Sequence, residues 1–197
     1  MDKNIKWLYD LQAQELTRLA LAQEYEAILV KNLEEVKEIL LSRISVEESL
    51  VIGDSPVLDN LNLLSTFKEK GNFIYNHQDE TDLEKRIDIR RNSLLADNYI
   101  SEVDFITENG ELIFLGGFSN AAALFGPKKV YGILGVNKLV KNIIEAEKKV
   151  EKIIEAHSYR ERSSYDKDMY DNIGIVSHGK KFINKYTIFI VPDNIGF

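Results

Sequence analysis

The chain has no cysteine in 197 residues. Disulfides, thiolate nucleophiles and cysteine-ligated zinc or iron–sulfur clusters are therefore excluded within it. Histidine is scarce, and His77, His157 and His178 lie too far apart for the paired spacing of a metal site. No apolar run reaches the length needed to cross a bilayer. The start, Met1 to Lys6, is polar and leads into an amphipathic segment rather than a secretory signal. A cytoplasmic protein without a membrane partner is the expectation.

Positive charge is in deficit. Lys and Arg number 25 against 32 Asp and Glu, a formal net charge of −7, and the isoelectric point is near 5.1. A protein that follows phosphates needs clustered cations to displace counterions. Here the basic residues are interleaved with acids, as in Glu145-Ala146-Glu147-Lys148-Lys149, which reads as a solvated helix face. Nucleic acid is not an expected partner.

What is present is ordinary globular material, 44% hydrophobic and 29% charged. The length suits one domain, read as residues 24–197, preceded by a helical extension over 1–23. Ile5, Leu8, Tyr9, Leu16, Leu19 and Ala20 fall near helical spacing within that extension. Tyr25 to Val30 reads as a short strand, and Asn32 can cap a helix through Ile44 with Glu34 and Glu35 in its positive first turn. Leu50-Val51-Ile52 is a buried strand ending in Gly53-Asp54-Ser55-Pro56. Ser55 suits an N-cap and Pro56 the first position of a helix running to Lys70, where Gly71 stops it. Asn72 to Tyr75 is the next strand and Asp82 to Leu95 the next helix.

The pattern then changes. Tyr99 to Thr107 and Glu111 to Leu115 flank Asn109-Gly110, a strong hairpin signal. Gly116-Gly117 breaks the second arm, and Ser119 or Asn120 can cap a brief helix over Ala121 to Phe125. Lys129 to Leu134 is a strand, and Asn137 is expected to cap a helix to about His157, with Leu139, Val140, Ile143, Ile144, Val150, Ile153 and Ile154 on one face. Residues 158–182 are polar and weakly periodic, and Tyr186 to Val191 is the last strand. Alternating strands and helices predict an α/β fold: an open, mostly parallel sheet with helices on both faces.

Several residues could carry chemistry. Gly53, Asp54 and Ser55 lie between a strand and a helix start, where backbone N–H groups can hold an anion; the same residues also suit a simple cap. Gly116, Gly117 and Asn120 would let a ligand approach the backbone closely, or form a bulge and a cap. Glu108 could be a general base if it faces a cleft. Lys128 and Lys138 could reach a ligand. Asn137 is read as a cap, and Ser177-His178-Gly179 as a polar loop.

The ordered pieces Ile106-Thr107-Glu108-Asn109-Gly110-Glu111-Leu112, Phe125-Gly126-Pro127-Lys128-Lys129-Val130, Gly135-Val136-Asn137-Lys138 and Ile190-Val191-Pro192-Asp193-Asn194-Ile195-Gly196-Phe197 go further. Together the stretch from about Tyr25 to Phe197 resembles the LUD (lactate-utilisation) domain family, including the lactate-utilisation protein C type. The resemblance implies the NagB/RpiA/CoA-transferase-like fold, an open α/β sheet, in which the Asn109-Gly110 β-hairpin reads as an insertion. It also implies a link to oxidation of L-lactate to pyruvate in bacteria, beside iron–sulfur partner proteins.

Departures from the family pattern are equally specific. Asp54 stands where relatives usually carry a second glycine. Gly116-Gly117-Phe118-Ser119-Asn120-Ala121 replaces their Asp-Gly-x-Gly-Asn-Arg, and residues 158–184 lack the cysteines many of them have. The resulting expectation is an accessory or ligand-binding subunit with no cofactor within this chain, taking a small carboxylate ligand. The alternatives are an enzyme on the CoA-transferase or sugar-phosphate isomerase-like fold using Glu108, and a structural homo-oligomer.

Overall fold

The computed structural model describes residues 2–77, 79–161, 172–181 and 184–196. In chain order its elements are helix α1 Lys3–Ala22, strand β1 Glu26–Leu29, α2 Leu33–Arg43, β2 Leu50–Ile52, α3 Pro56–Asn60, α4 Leu63–Lys70 and α5 Leu83–Ser93. They continue with β3 Asn98–Glu102, β4 Phe105–Thr107, β5 Leu112–Leu115, α6 Gly117–Leu124 and β6 Lys129–Gly135. A 3-10 turn over Val136–Lys138 leads to β7 Leu139–Val140, α7 Ile143–Glu161, β8 Ile173–Val176 and β9 Tyr186–Val191.

Two sheets form the body. The first has five strands in the order β1-β9-β6-β3-β2, and every neighbouring pair is parallel. A parallel sheet must be covered on both faces, and its central strands accordingly read as near-continuous apolar runs, as in Tyr186–Val191. Alternation assigns the faces. Ile100, Tyr131, Ile133, Phe189 and Val191 point into a core with Val36, Leu40 and Ile44 of α2 and with Val57, Leu58, Leu63 and Phe67 of α3 and α4. Tyr99, Val130, Leu134, Ile188 and Ile190 point the other way. There they meet Ala13, Leu16, Leu19 and Ala20 of α1, Ala122 and Ala123 of α6, and one face of the second sheet.

That second sheet has the order β7-β4-β5-β8. Ile106, Leu112 and Phe114 face the first sheet, while Phe105, Ile113 and Leu115 pack with Val140, Ala146 and Val150 under α7. The layers therefore run α2–α4, parallel sheet, then α1 with α6 and the second sheet, then α7. The open, mostly parallel sheet with helices on both faces is present as the sequence predicts. The helix expected as an extension places four fully or nearly buried residues in this core.

Several local details differ from the reading of the sequence. The helix expected over 56–70 breaks at Leu61 and Asn62, where Asn62 takes a left-handed backbone, φ +54°. The strand expected over 72–75 is a single bridge, Leu50 to Ile74. The arm 99–107 splits at Val103-Asp104 into two strands of different sheets. The hairpin is the centre of a four-stranded sheet, because β7 pairs with its first arm and β8 with its second, two short strands that do not stand out in the sequence. Asn137 does not cap α7. Asn142 Oδ1 accepts from Glu145 N at 3.1 Å, and Asn137 instead pairs twice with Ile195. The side chains of Ile153, Ile154 and His157, the stretch from Arg162 to Asp171, and Phe197 lie outside the described residues.

Candidate functional site

The carboxyl ends of parallel strands all open on one edge of the sheet, where loops and helix starts gather. At this edge β2 delivers Gly53, Asp54 and Ser55, β3 delivers Glu102, and the turn after β6 delivers Lys138. Ser55 caps α3 by accepting from Val57 N at 3.1 Å, and its hydroxyl also donates to Glu102 Oε2. Lys138 Nζ sits 2.6 Å from Glu102 Oε1. Both residues are buried, Lys138 to 3% exposure and Glu102 to 9%. Oε1 takes no conventional hydrogen bond, so its partnership with the ammonium is an ion pair at close range. Isolated charges of this kind are costly to bury, and each is tolerated because the other is there.

Polar groups extend the cluster in two directions. On one side Tyr99 OH donates to Ser101 Oγ at 3.0 Å, and Ser101 Oγ donates to the Glu102 carbonyl at 2.9 Å. Gly53 passes close over these hydroxyls. A Cβ there would stand 3.1 Å from Tyr99 OH and 3.2 Å from Ser101 Oγ. Next to it, Asp54 Oδ2 meets Nε2 of the buried His77 at 3.2 Å. On the other side Asp104 Oδ2 accepts from Leu115 N at 2.8 Å. Asp104 shows only part of its surface to solvent. Burial, opposed by the Leu115 N–H and the charge of Lys138, pushes its carboxyl up to about 7.

Through Leu115, Asp104 ties this cluster to the Gly116 bend. Gly116 has φ +87° and leads into α6 at Gly117, and its N–H donates to Asn172 O at 3.1 Å. Asn120 is buried and its Nδ2 donates to the same carbonyl at 2.8 Å, while its Oδ1 has no hydrogen-bond partner. The bend that the sequence marked is therefore linked to the Lys138 ion pair through Leu115 and Asp104.

The remaining two residues lie elsewhere. Lys128 precedes β6 at the opposite, amino end of the sheet and is mostly solvated. Its ammonium bonds Asp97 Oδ1 at 2.7 Å, and that contact is the largest cause holding the Asp97 carboxyl down at about 2. Glu108 is exposed at the hairpin tip, and the tip leans on the end of α1 through Gln23 Nε2 and Asn109 O at 2.6 Å. Among the described residues no group of three His, Asp or Glu side chains is placed to hold a metal ion, and no helix is long and apolar enough to cross a membrane.

Two clefts open along this edge. One, of about 380 Å³, is lined by Gly53, Asn62, Lys68, Tyr75 and Asn76 beside other residues. The other, of about 1060 Å³, lies between α1 and the ends of β1 and β9 and is lined by Lys6, Asp10, Lys31, Asn32, Asp193 and Ile195, with others.

Sequence reading missed Glu102, Asp104, Ser101 and His77. A signal for the first two was available. Tyr99-Ile100-Ser101-Glu102-Val103-Asp104-Phe105-Ile106 puts two acids inside an apolar strand run, where ionised side chains are rare unless paired. His77 gave no such sign, because its burial and its contact with Asp54 are tertiary.

Fold and edge cluster together define an open-sheet α/β protein with a charged site at the carboxyl ends of its strands. The family model of the LUD domain matches residues 13–187, and the chain belongs to that family. A crystal structure of a DUF162 family protein from Deinococcus radiodurans, at 1.70 Å resolution, superposes with a TM-score of 0.53. The two chains are 12% identical, and the alignment covers 93% of this chain and 97% of that one. At that identity the likeness concerns the fold alone. A comparison with curated protein sequences gives no match.

Proposed function

We propose that this LUD-domain chain binds a small carboxylate, a 2-hydroxy or 2-oxo acid of the lactate–pyruvate kind, at the carboxyl edge of its parallel sheet. It serves as an accessory subunit of lactate oxidation rather than as a free-standing enzyme. The observation that carries this reading is Lys138, an ammonium held under cover beside Glu102 and Ser55. The Ser55 hydroxyl is spent on Glu102, but in a site of low polarity the ammonium N–H groups not aimed at Glu102 recognise a carboxylate far more strongly than they would in water. Asp104, poised to titrate near 7, adds a group able to take or give a proton next to the ligand. Conversion of a hydroxy acid to an oxo acid releases two electrons and two protons, the protons to water or to a base such as Asp104. With no cysteine in the chain to hold a cluster, iron–sulfur partner proteins are the natural acceptors.

Isothermal titration with lactate, pyruvate and longer hydroxy acids tests the reading. The control is the neutral double variant Lys138→Met with Glu102→Gln, which avoids leaving either charge buried alone. Binding by the native chain and a loss of about tenfold or more in the double variant supports it. No heat with any of these acids, either in the native chain or in a variant whose cover over Lys138 is loosened, would sink it.

A second reading, self-association, is favoured by a separate observation. Ile5, Trp7, Leu8 and Leu11 are all exposed on the first half of α1. Light scattering across a concentration series tests it, and a constant monomer mass counts against it.

A further inference from the structure

We infer that residues 193–196 form a strap that plugs the Lys138–Glu102 pair and has to lift before a carboxylate can reach the Lys138 ammonium. The role in ligand access rests on the carboxylate reading above, whereas the plug rests on geometry.

Gly196 lies against the pair so closely that a Cβ on it would overlap Glu102 Oε1 and stand 3.0 Å from Lys138 Nζ. Its φ of +62° belongs to the left-handed region, which glycine enters without strain. The strap is fastened by a few polar bonds and by Ile195, whose side chain is buried in the core shared with Ile133, Phe189 and Val191. Asn137 Nδ2 donates to Ile195 O, and Ile195 N donates to Asn137 Oδ1, both at 3.1 Å. Asn194 Nδ2 donates to Tyr9 OH at 2.9 Å, and Val136 N donates to Asp193 O at 3.1 Å. Asn137, the main clasp, is the chain neighbour of Lys138, so clasp and charged group move on one short turn.

Asp193 and Ile195 also form part of the wall of the larger cleft. The strap therefore lies between that open space and the buried pair, and lifting it would join the two. Hydrogen bonds of this kind are replaced by water when broken, so the main cost of opening is the exposure of the one buried side chain Ile195, less than that of extracting a sheet strand.

Acylation of lysines by acetic anhydride, read by mass spectrometry, tests the plug without any ligand. Lys185 is the internal control, because it is buried in another part of the fold with its Nζ donating to Leu124 O at 2.9 Å. In the native chain both lysines are expected to be protected. Asn137→Ala removes the clasp, and Gly196→Ala forces the strap away from Glu102. Each should raise Lys138 labelling by about tenfold, the equivalent of one or two lost hydrogen bonds, with Lys185 unchanged.

Three results overturn the plug: Lys138 labelled freely in the native chain, Lys138 still protected in both variants, or Lys138 and Lys185 rising together as in global opening. Titration of the same variants with lactate and pyruvate separates the two claims. Tighter binding in the opened variants supports both. Selective Lys138 labelling with no binding in any variant removes the carboxylate reading and leaves the plug standing.

Discussion

Asp104 shows how a single residue can link the candidate site to the stability of the fold. Its carboxyl is raised from the ordinary 3.8 to about 7, chiefly by burial. As pH rises from about 4, the unfolded chain gives up this proton first, while the folded chain keeps it until about 7. The folded state is then the better proton binder, so stability falls across that window and levels off above it. Asp104→Asn retains an oxygen to accept from Leu115 N and removes the titration. Urea denaturation should show the variant gaining on the native chain as pH rises from 5 to 8, by about 2–3 kcal/mol. A difference independent of pH would show that the carboxyl is not held protonated. The acids of this site could be found in the sequence as charges within an apolar run. Their pairing could not, because Lys138 lies far along the chain from Glu102 and only the parallel register of β3 beside β6 brings their ends together.

At the scale of elements, strongly patterned segments were legible and short ones were not. The Asn109-Gly110 hairpin shows the successful case. Gly110 has φ +84° and packs on α1, where a Cβ would stand 2.6 Å from Gln23 Cγ and 2.8 Å from the Leu19 carbonyl. Gly110→Ala combines left-handed strain with a clash against backbone, and should cost about 2 kcal/mol by chemical denaturation. A change within a few tenths would mean that the tip is loosely packed.

The start of α7 shows the unsuccessful case. Asn137 and Asn142 both precede apolar helical spacing, and local pattern alone favours neither. The short β7 places Leu139 and Val140 beside Ile106 and Thr107, which moves the helix start to Ile143. Asn142→Ala should therefore lose a cap worth about 1 kcal/mol and speed amide exchange in the first turn of α7. Asn137→Ala should leave those amides unchanged. The reverse pattern would restore Asn137 as the cap.

Across the whole molecule, α1 carries two faces that a truncation could not separate. Its second half buries Ala13, Leu16, Leu19 and Ala20 against both sheets, while its first half exposes Trp7 to 65%. Deleting the helix would uncover apolar core and cause association for that reason alone. A substitution on the outer face avoids the problem. Trp7 is the single tryptophan of the chain, so its fluorescence reports this face without labelling. If the face joins a second copy, emission should move to shorter wavelength as concentration rises, because the indole leaves water. Trp7→Tyr would lose the probe but keep an aromatic side chain for packing. Leu11→Glu keeps the probe and places a charge amid the exposed apolar residues. It should hold the native chain's dilute-limit emission at all concentrations, with a monomer mass by sedimentation and little change in unfolding midpoint. Emission that stays fixed with concentration in the native chain would rule out this face as a self-association surface over that range.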